Sequence, residues 1–394
     1  MVLLAPTRPR ARLEGSVQDV GAEATRRPRT GRLRALDGLR LLAALAVAFY
    51  HYTAYEGAGS AWGQRPDSIF PRWAGLSAYG WLGVEVFFVI SGFAICMSCW
   101  GRTLGDFFRS RVTRLYPAYW AAVVLTYLVT ALTPAIRQGV DFTTALVDLT
   151  MLQDPIGVDR VDGVYWTLWA EMRFYLLFAL VVWGGLTFRR VVAFSMIWTI
   201  VAVIARTADS ELLFTVAMPK YAHFFLVGVG IYLVYRFGHH PLSWALIGVN
   251  FLLAVHYAVA RMDHQAEDVV HRPLSATVVT IVLAVSVLLI LATAHGRLDW
   301  VRWKWVTYAG ALTYPFYLLH DYIGFAVIYW LYQRAHLSAY AVLPVTLVAM
   351  LVLAWVVHRA VERPLAHRLK AHLVAGSASL QPRDLLSTRP DRAS

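Results

Sequence analysis

Arg40 and His51 lie eleven residues apart in one apolar run, LRALDGLRLLAALAVAFYHY. Eleven helical steps return to within about 20° of the starting face and climb ~16 Å. A guanidinium and an imidazole on one stripe offer two kinds of chemistry. The planar fork of arginine matches phosphate oxygens. A neutral imidazole takes a proton from a hydroxyl. Arg111 and Arg114 stand in a short basic and aromatic segment, DFFRSRVTRLY. They add two guanidiniums at the same end as Arg40. Three arginines with an imidazole ~16 Å away suit a long donor with an anionic head and a reactive tip. Acyl-coenzyme A has that shape, with phosphates at one end and a thioester at the tip of an extended arm.

Other ionisable residues also sit in apolar runs: Glu85, Glu171, Arg173, Lys220, His223, His256, His320 and Asp321. Such groups are costly in a membrane and usually serve function. Counted from the expected helix ends, His51, Glu85 and Glu171 fall ~8 to 9 Å deep, in one layer. His320 falls ~16 Å deep. Glu85 or Glu171 would orient the His51 ring and stabilise its imidazolium, as a carboxylate does in hydrolase triads. His320 is either a second acid–base residue or a hydrogen bonder between helices. Asp321 would point about 100° away from His320 on a continuous helix. For Glu171 a structural partner, Arg173 or Lys220, is the alternative. Ser91 reads as a close-packing position rather than a nucleophile. The Cys96–Cys99 pair is too few ligands for a zinc site. No carboxylate cluster accompanies His239, His240, His264 or His271, so no metal is expected.

The elements that must position these groups are membrane helices. Hydrophobic residues make up 58% of the 394-residue chain and charged residues 15%, against about 25% charged in soluble domains. The mean hydropathy is +0.53. The net charge of +12 comes from residues in the two tails and in short loops, which fits membrane topology and not nucleic-acid binding. About 20 apolar residues cross a bilayer. Ten runs qualify, roughly 36–56, 79–100, 116–134, 165–187, 190–206, 215–235, 241–260, 274–294, 306–331 and 340–358. The expected fold is therefore all-α: a polytopic transmembrane bundle of about ten spans. Most Lys and Arg fall on one side if both termini are cytoplasmic. Residues 106–116 read as an interfacial helix, with Pro117 opening the next span. Residues 1–32 and 371–394 read as disordered tails, leaving a membrane domain at 33–370. No cleavable signal peptide is visible.

Five motifs in order resemble the acyltransferase-3 family of bacterial integral membrane acyltransferases. They are the Asp37-Gly38-x-Arg40 opening with Arg-x10-His, GWLGVEVFFVISGFAI around Glu85 and Ser91, and RVTRLYP with Arg111 and Arg114. WTLWAEMRFY follows, with Trp166, Glu171 and Tyr175, and then LTYPFYLLH, with Tyr317 and His320. The resemblance covers about residues 33–370. It implies transfer of an acyl group, often acetyl, from cytoplasmic acyl-CoA to a hydroxyl of a carbohydrate, a lipid-linked glycan or a secondary metabolite. His51, Glu85, Glu171 and His320 would be catalytic, and Arg40, Arg111 and Arg114 would bind the donor. Asp37, Trp166, Tyr175 and Tyr317 would position them. No permanently bound cofactor is implied. Direct attack and a transient acyl-enzyme both remain open. A secondary transporter is the rival reading, since intramembrane charge also marks transport paths, but no internal repeat or pair of broken helices in matching halves is visible. The bacterial cytoplasmic membrane is the expected location.

Overall fold

The computed structural model describes residues 33–138 and 140–379. No strand occurs among the described residues. The principal helices are α1 (Arg34–Thr53), α2 (Leu82–Cys99), α3 (Leu104–Leu132), α4 (Trp166–Trp183), α5 (Phe188–Ile204), α6 (Ala222–Phe237), α7 (Pro241–His264), α8 (Ala276–Ala294), α9 (Lys304–Leu319), α10 (Tyr322–Ile328), α11 (Ala339–Val357) and α12 (Arg363–Ser379). Seven helices among the described residues are long and apolar enough to cross a bilayer. They coincide with seven of the ten expected runs. The other three runs, 36–56, 190–206 and 306–331, are also helical. They are charged near one end (α1), short (α5), or broken in two (α9 and α10). Two of those three carry Arg40, His51 and His320. The polarity that lowers their hydropathy is what equips them for chemistry.

Sequence explains the local structure. Helix α2 is apolar on nearly every face and is buried almost throughout, as expected for a helix at the centre of a bundle. It packs against α1 and α6. A Cβ at Gly92 would run into the Phe225 carbonyl, and one at Gly228 into the Val89 carbonyl. These glycines let α2 and α6 approach backbone to backbone. Thr103 caps α3 by accepting from the Asp106 amide at 3.2 Å, and Pro241 opens α7 at its first turn, where its missing N–H costs nothing. The outward faces remain apolar: Leu180, Leu252, Leu288 and Val348 are exposed, as lipid contact requires. Trp300, Trp303 and Trp305 cluster, exposed, before and at the start of α9. They form an interfacial aromatic belt.

The structure corrects two expectations. Residues 106–116 do not form a separate interfacial helix. Helix α3 runs unbroken through Pro117 for 29 residues, ~44 Å at 1.5 Å per residue. That exceeds a hydrocarbon core of about 30 Å, so its basic first turns can lie at the interface while the helix continues inward. The second correction is at the C-terminal end. Helix α12 extends to Ser379, so 371–379 is not a tail. The 1–32 tail and residues 380–394 lie outside the described residues.

Between α3 and α4, the short helix Phe142–Asp148 is anchored through its last residue. The Asp148 carboxylate accepts from the Val161 amide at 2.9 Å and from the Tyr119 hydroxyl at 3.1 Å. Burial pushes its pKa up to about 6. The folded state therefore holds a proton that the unfolded chain has already lost. Its contribution is full below the unfolded value of about 4 and is lost as pH rises through 6. Thermal melting in detergent between pH 4 and 7 should show this, with Asp148→Asn falling less over that window than wild type.

Candidate functional site

Helices α1, α2, α3, α4 and α9 enclose a cavity of about 100 Å³. Its lining runs along α2 from Ile95 to Val84, eleven residues or ~16 Å. Arg40, Arg111 and Arg114 all line it. At the Arg40 end it adjoins a wider vestibule of about 330 Å³. The two share Arg40, Arg114, Gly310 and Tyr314. The three arginines expected to act together are thus brought together.

Two of them are held differently. Arg40 lies 3.5 Å from Asp37 within α1. Arg111 is buried and donates to the hydroxyls of Ser98 and Ser110, at 3.3 and 3.0 Å. Its guanidinium lies 5.7 Å from the Tyr175 ring centre. It has no carboxylate partner among its hydrogen bonds, so its charge is available to an anion. Asp37 packs tightly against Gly310 of α9. A side chain at Gly310 would push α1 and α9 apart and move Arg40 with them.

At the other end of the cavity stands Tyr317. It is hydrogen-bonded to Thr167 and meets Phe87 edge to face at 5.6 Å. Its ring centre is 5.5 Å from that of His320. Neither imidazole lines the cavity itself. The histidine pair lies directly behind this one aromatic ring.

His51 and His320 face each other. Their rings are nearly parallel, 7° apart, with Nδ1 of His51 3.0 Å from Nε2 of His320. The tautomers follow from the partners. His320 Nδ1 is 2.7 Å from the Tyr317 carbonyl, which only accepts, so that nitrogen carries the proton. His320 Nε2 is then an acceptor for the N–H at His51 Nδ1. This leaves the lone pair on His51 Nε2, the form a general base needs. His320 is fully buried, whereas the His51 side chain keeps 13% of its exposure.

Asp321 overturns its expected direction. Helix α9 stops at Leu319, and Asp321 leaves helical geometry at φ −73°, ψ −92°. The Tyr52 hydroxyl donates to the His320 carbonyl freed at this break. The break rotates Asp321 back toward the histidines, 3.5 Å from His51 Nδ1. Both neighbours therefore face one ring, which a continuous helix forbids.

The two glutamates are not where one layer would put them. Glu85 does not touch His51. It is ion-paired with Arg261 of α7, whose guanidinium lies between the rings of Trp81 and Tyr221 at 5.2 and 5.1 Å. Arg261 lies just past the apolar run 241–260, but α7 continues to His264 and carries it into this pair. Glu171 lines the arginine cavity. It accepts from Ser91 at 2.7 Å and is hydrogen-bonded to Tyr175. Arg173 instead donates to the Thr215 carbonyl, and Lys220 sits over Phe214. Ser91 is thus a polar partner and not merely a small packing residue. Trp166 packs on Tyr221 and Phe88, at 5.0 and 6.2 Å, beside the Glu85–Arg261 pair.

A family model described as an acyltransferase domain, that of the acyltransferase-3 family, matches residues 33–359. The chain belongs to this family. The match takes in every helix of the site, from Arg40 to His320. Acyltransferase MdmB of Streptomyces mycarofaciens is 26% identical over 160 residues, 39% of this chain and 40% of that protein. The chain thus matches less than half the length of this curated relative. No solved structure matches. With α-helical spans and this family membership, the chain is a multi-pass membrane protein.

Proposed function

We propose that the protein is a membrane O-acyltransferase that takes an acyl group from cytoplasmic acyl-CoA. One observation carries this reading. Three guanidiniums line a cavity that runs ~16 Å from a wider vestibule and ends one aromatic ring short of a histidine pair. The phosphates of the donor lie at Arg40, Arg111 and Arg114, and the pantetheine arm fills the narrow part. Its thioester reaches His51 once the Tyr317 ring turns aside. Glu171, held by Ser91, lines the channel and orients Tyr175 against Arg111.

His51 Nε2 then takes the proton of an acceptor hydroxyl as its oxygen attacks the thioester carbon. The new C–O bond forms and the C–S bond breaks. The departing thiolate takes the proton from His51. His320 holds the ring in the required tautomer, the part a carboxylate plays in hydrolase triads. The acceptor is a hydroxyl of a carbohydrate, a lipid-linked glycan or a secondary metabolite. Both termini face the cytoplasm, and the membrane is the bacterial cytoplasmic membrane.

Purified protein in liposomes with labelled acyl-CoA tests this against transport. Release of coenzyme A with label on an added acceptor supports transfer. Uptake of label without thioester cleavage supports a transporter. Within the enzyme, Arg114→Ala should raise the apparent KM for acyl-CoA roughly tenfold, the loss of one charge-assisted contact, with kcat little changed. An unchanged KM would remove Arg114 from donor binding.

A further inference from the structure

Attack on a thioester drives an electron pair onto the carbonyl oxygen, and that oxyanion needs a hydrogen-bond donor beside it. The acyl-transfer steps above assign none. Five side-chain hydroxyls line the cavity, those of Ser91, Thr167, Thr313, Tyr314 and Tyr317. Four already give their hydrogen to a carboxylate or a carbonyl. Ser91 donates to the Glu171 carboxylate at 2.7 Å. Thr167 donates to the Val164 carbonyl at 2.9 Å, Thr313 to the Ala309 carbonyl at 3.2 Å and Tyr314 to the Leu115 carbonyl at 3.1 Å. Tyr317 is the exception. Among the described residues no carbonyl or carboxylate accepts from its hydroxyl, which meets the Thr167 hydroxyl instead. Both residues line the cavity, so this contact lies where the substrate must pass.

Position singles out the same residue. Tyr317 is the cavity-lining ring in contact with a histidine, 5.5 Å from His320 between centres. Its own carbonyl accepts from His320 Nδ1 at 2.7 Å, so the backbone that sets the histidine tautomers also carries this hydroxyl. The other hydroxyls near the pair are less suited. Tyr52 donates to the His320 carbonyl, and Tyr55, with its ring 5.2 Å from that of His51, is not part of the cavity lining.

We propose that the Tyr317 hydroxyl is the oxyanion donor, a catalytic residue and not only a wall. This rests on the acyl-transfer reading of the cavity. As the ring turns aside, its hydroxyl leaves Thr167 and moves onto the thioester oxygen. The acceptor oxygen bonds to the carbonyl carbon, and one C=O electron pair shifts to the carbonyl oxygen. Tyr317 donates a hydrogen bond to that oxygen and keeps its own proton. The electron pair then re-forms the C=O bond, the C–S bond breaks, and the thiolate takes the proton held by His51. A bond to an oxyanion is charge-assisted and stronger than one to a neutral hydroxyl. Exchanging Thr167 for substrate therefore favours the transition state over the resting state.

Tyr317→Phe removes the hydroxyl and keeps both the ring and the carbonyl that holds His320. We expect kcat to fall roughly 10²-fold, the low end for loss of one oxyanion donor, with KM for acyl-CoA and the melting temperature unchanged. A residue that only walls the cavity would give full kcat, or a loss confined to KM or to stability, and either outcome overturns the proposal. Infrared spectra read the contact without turnover. In His51→Ala, bound acyl-CoA with an isotopic label at its thioester carbonyl should show a C=O band below that of the free thioester. Adding Tyr317→Phe should abolish this shift. A band at one position in both variants overturns the proposal. If wild type moves no acyl group, the acyl-transfer reading itself fails. If wild type and Tyr317→Phe transfer equally well, that reading stands and only the assignment of Tyr317 fails.

Discussion

Changing His51 to Ala should lower turnover by roughly 10³-fold, within the range for loss of a general base. Its apparent KM for acyl-CoA should stay near the wild-type value, because Arg40 lies ~16 Å away along α1 and Arg111 and Arg114 stand on α3. Folding should survive, since the side chain is partly exposed and its partner His320 keeps a second hydrogen bond, to the Tyr317 carbonyl. The neighbouring histidine gives a graded control. His320→Ala removes the acceptor that fixes the His51 tautomer. In His320→Gln an amide oxygen can accept in place of Nε2, so it should keep more activity than the alanine variant. If His51→Ala turns over at the wild-type rate in single-turnover assays, the imidazole is not the base.

The second large effect falls on stability and not on chemistry. Glu85→Ala leaves the Arg261 guanidinium without its carboxylate, between the rings of Trp81 and Tyr221. Stripping one partner from a buried pair costs about 3 kcal/mol, and the partial exposure of Arg261 keeps the figure at that lower end. The melting temperature in detergent should drop by several degrees. Replacing both residues with Met removes the uncompensated charge and should recover most of the loss. Material that remains folded should keep a wild-type kcat, because Glu85 is not against His51. A kcat loss in the stable double variant would return Glu85 to the catalytic group.

The parts of the site legible in sequence are those set by helical period. Arg40 and His51 share a stripe because eleven residues nearly close three turns. The arginine pair of α3 is visible because a charge-dense turn precedes a long apolar run. The parts that are not legible depend on where helices stop. Asp321 reaches His51 only because α9 breaks after Leu319, and nothing local except Pro315 hints at a change there. Arg261 reads as a loop residue because its apolar run ends near residue 260, yet α7 continues to His264 and carries it inward onto Glu85. Pro117 misleads in the opposite direction. It suggests a helix start, but a membrane helix tolerates the missing N–H where neighbours and side chains compensate.

An anionic carrier held by the arginines must bring its tip to residue 51. A His51→Cys variant with Cys96 and Cys99 replaced by Ala, incubated with a haloacetyl-CoA, tests this directly. We expect mass spectrometry to find residue 51 alkylated, with labelling suppressed by excess acyl-CoA and weakened by Arg114→Ala. If the introduced thiol stays unlabelled by the CoA reagent, while a small uncharged alkylator modifies it freely, the imidazole stands outside the donor channel and the account is contradicted.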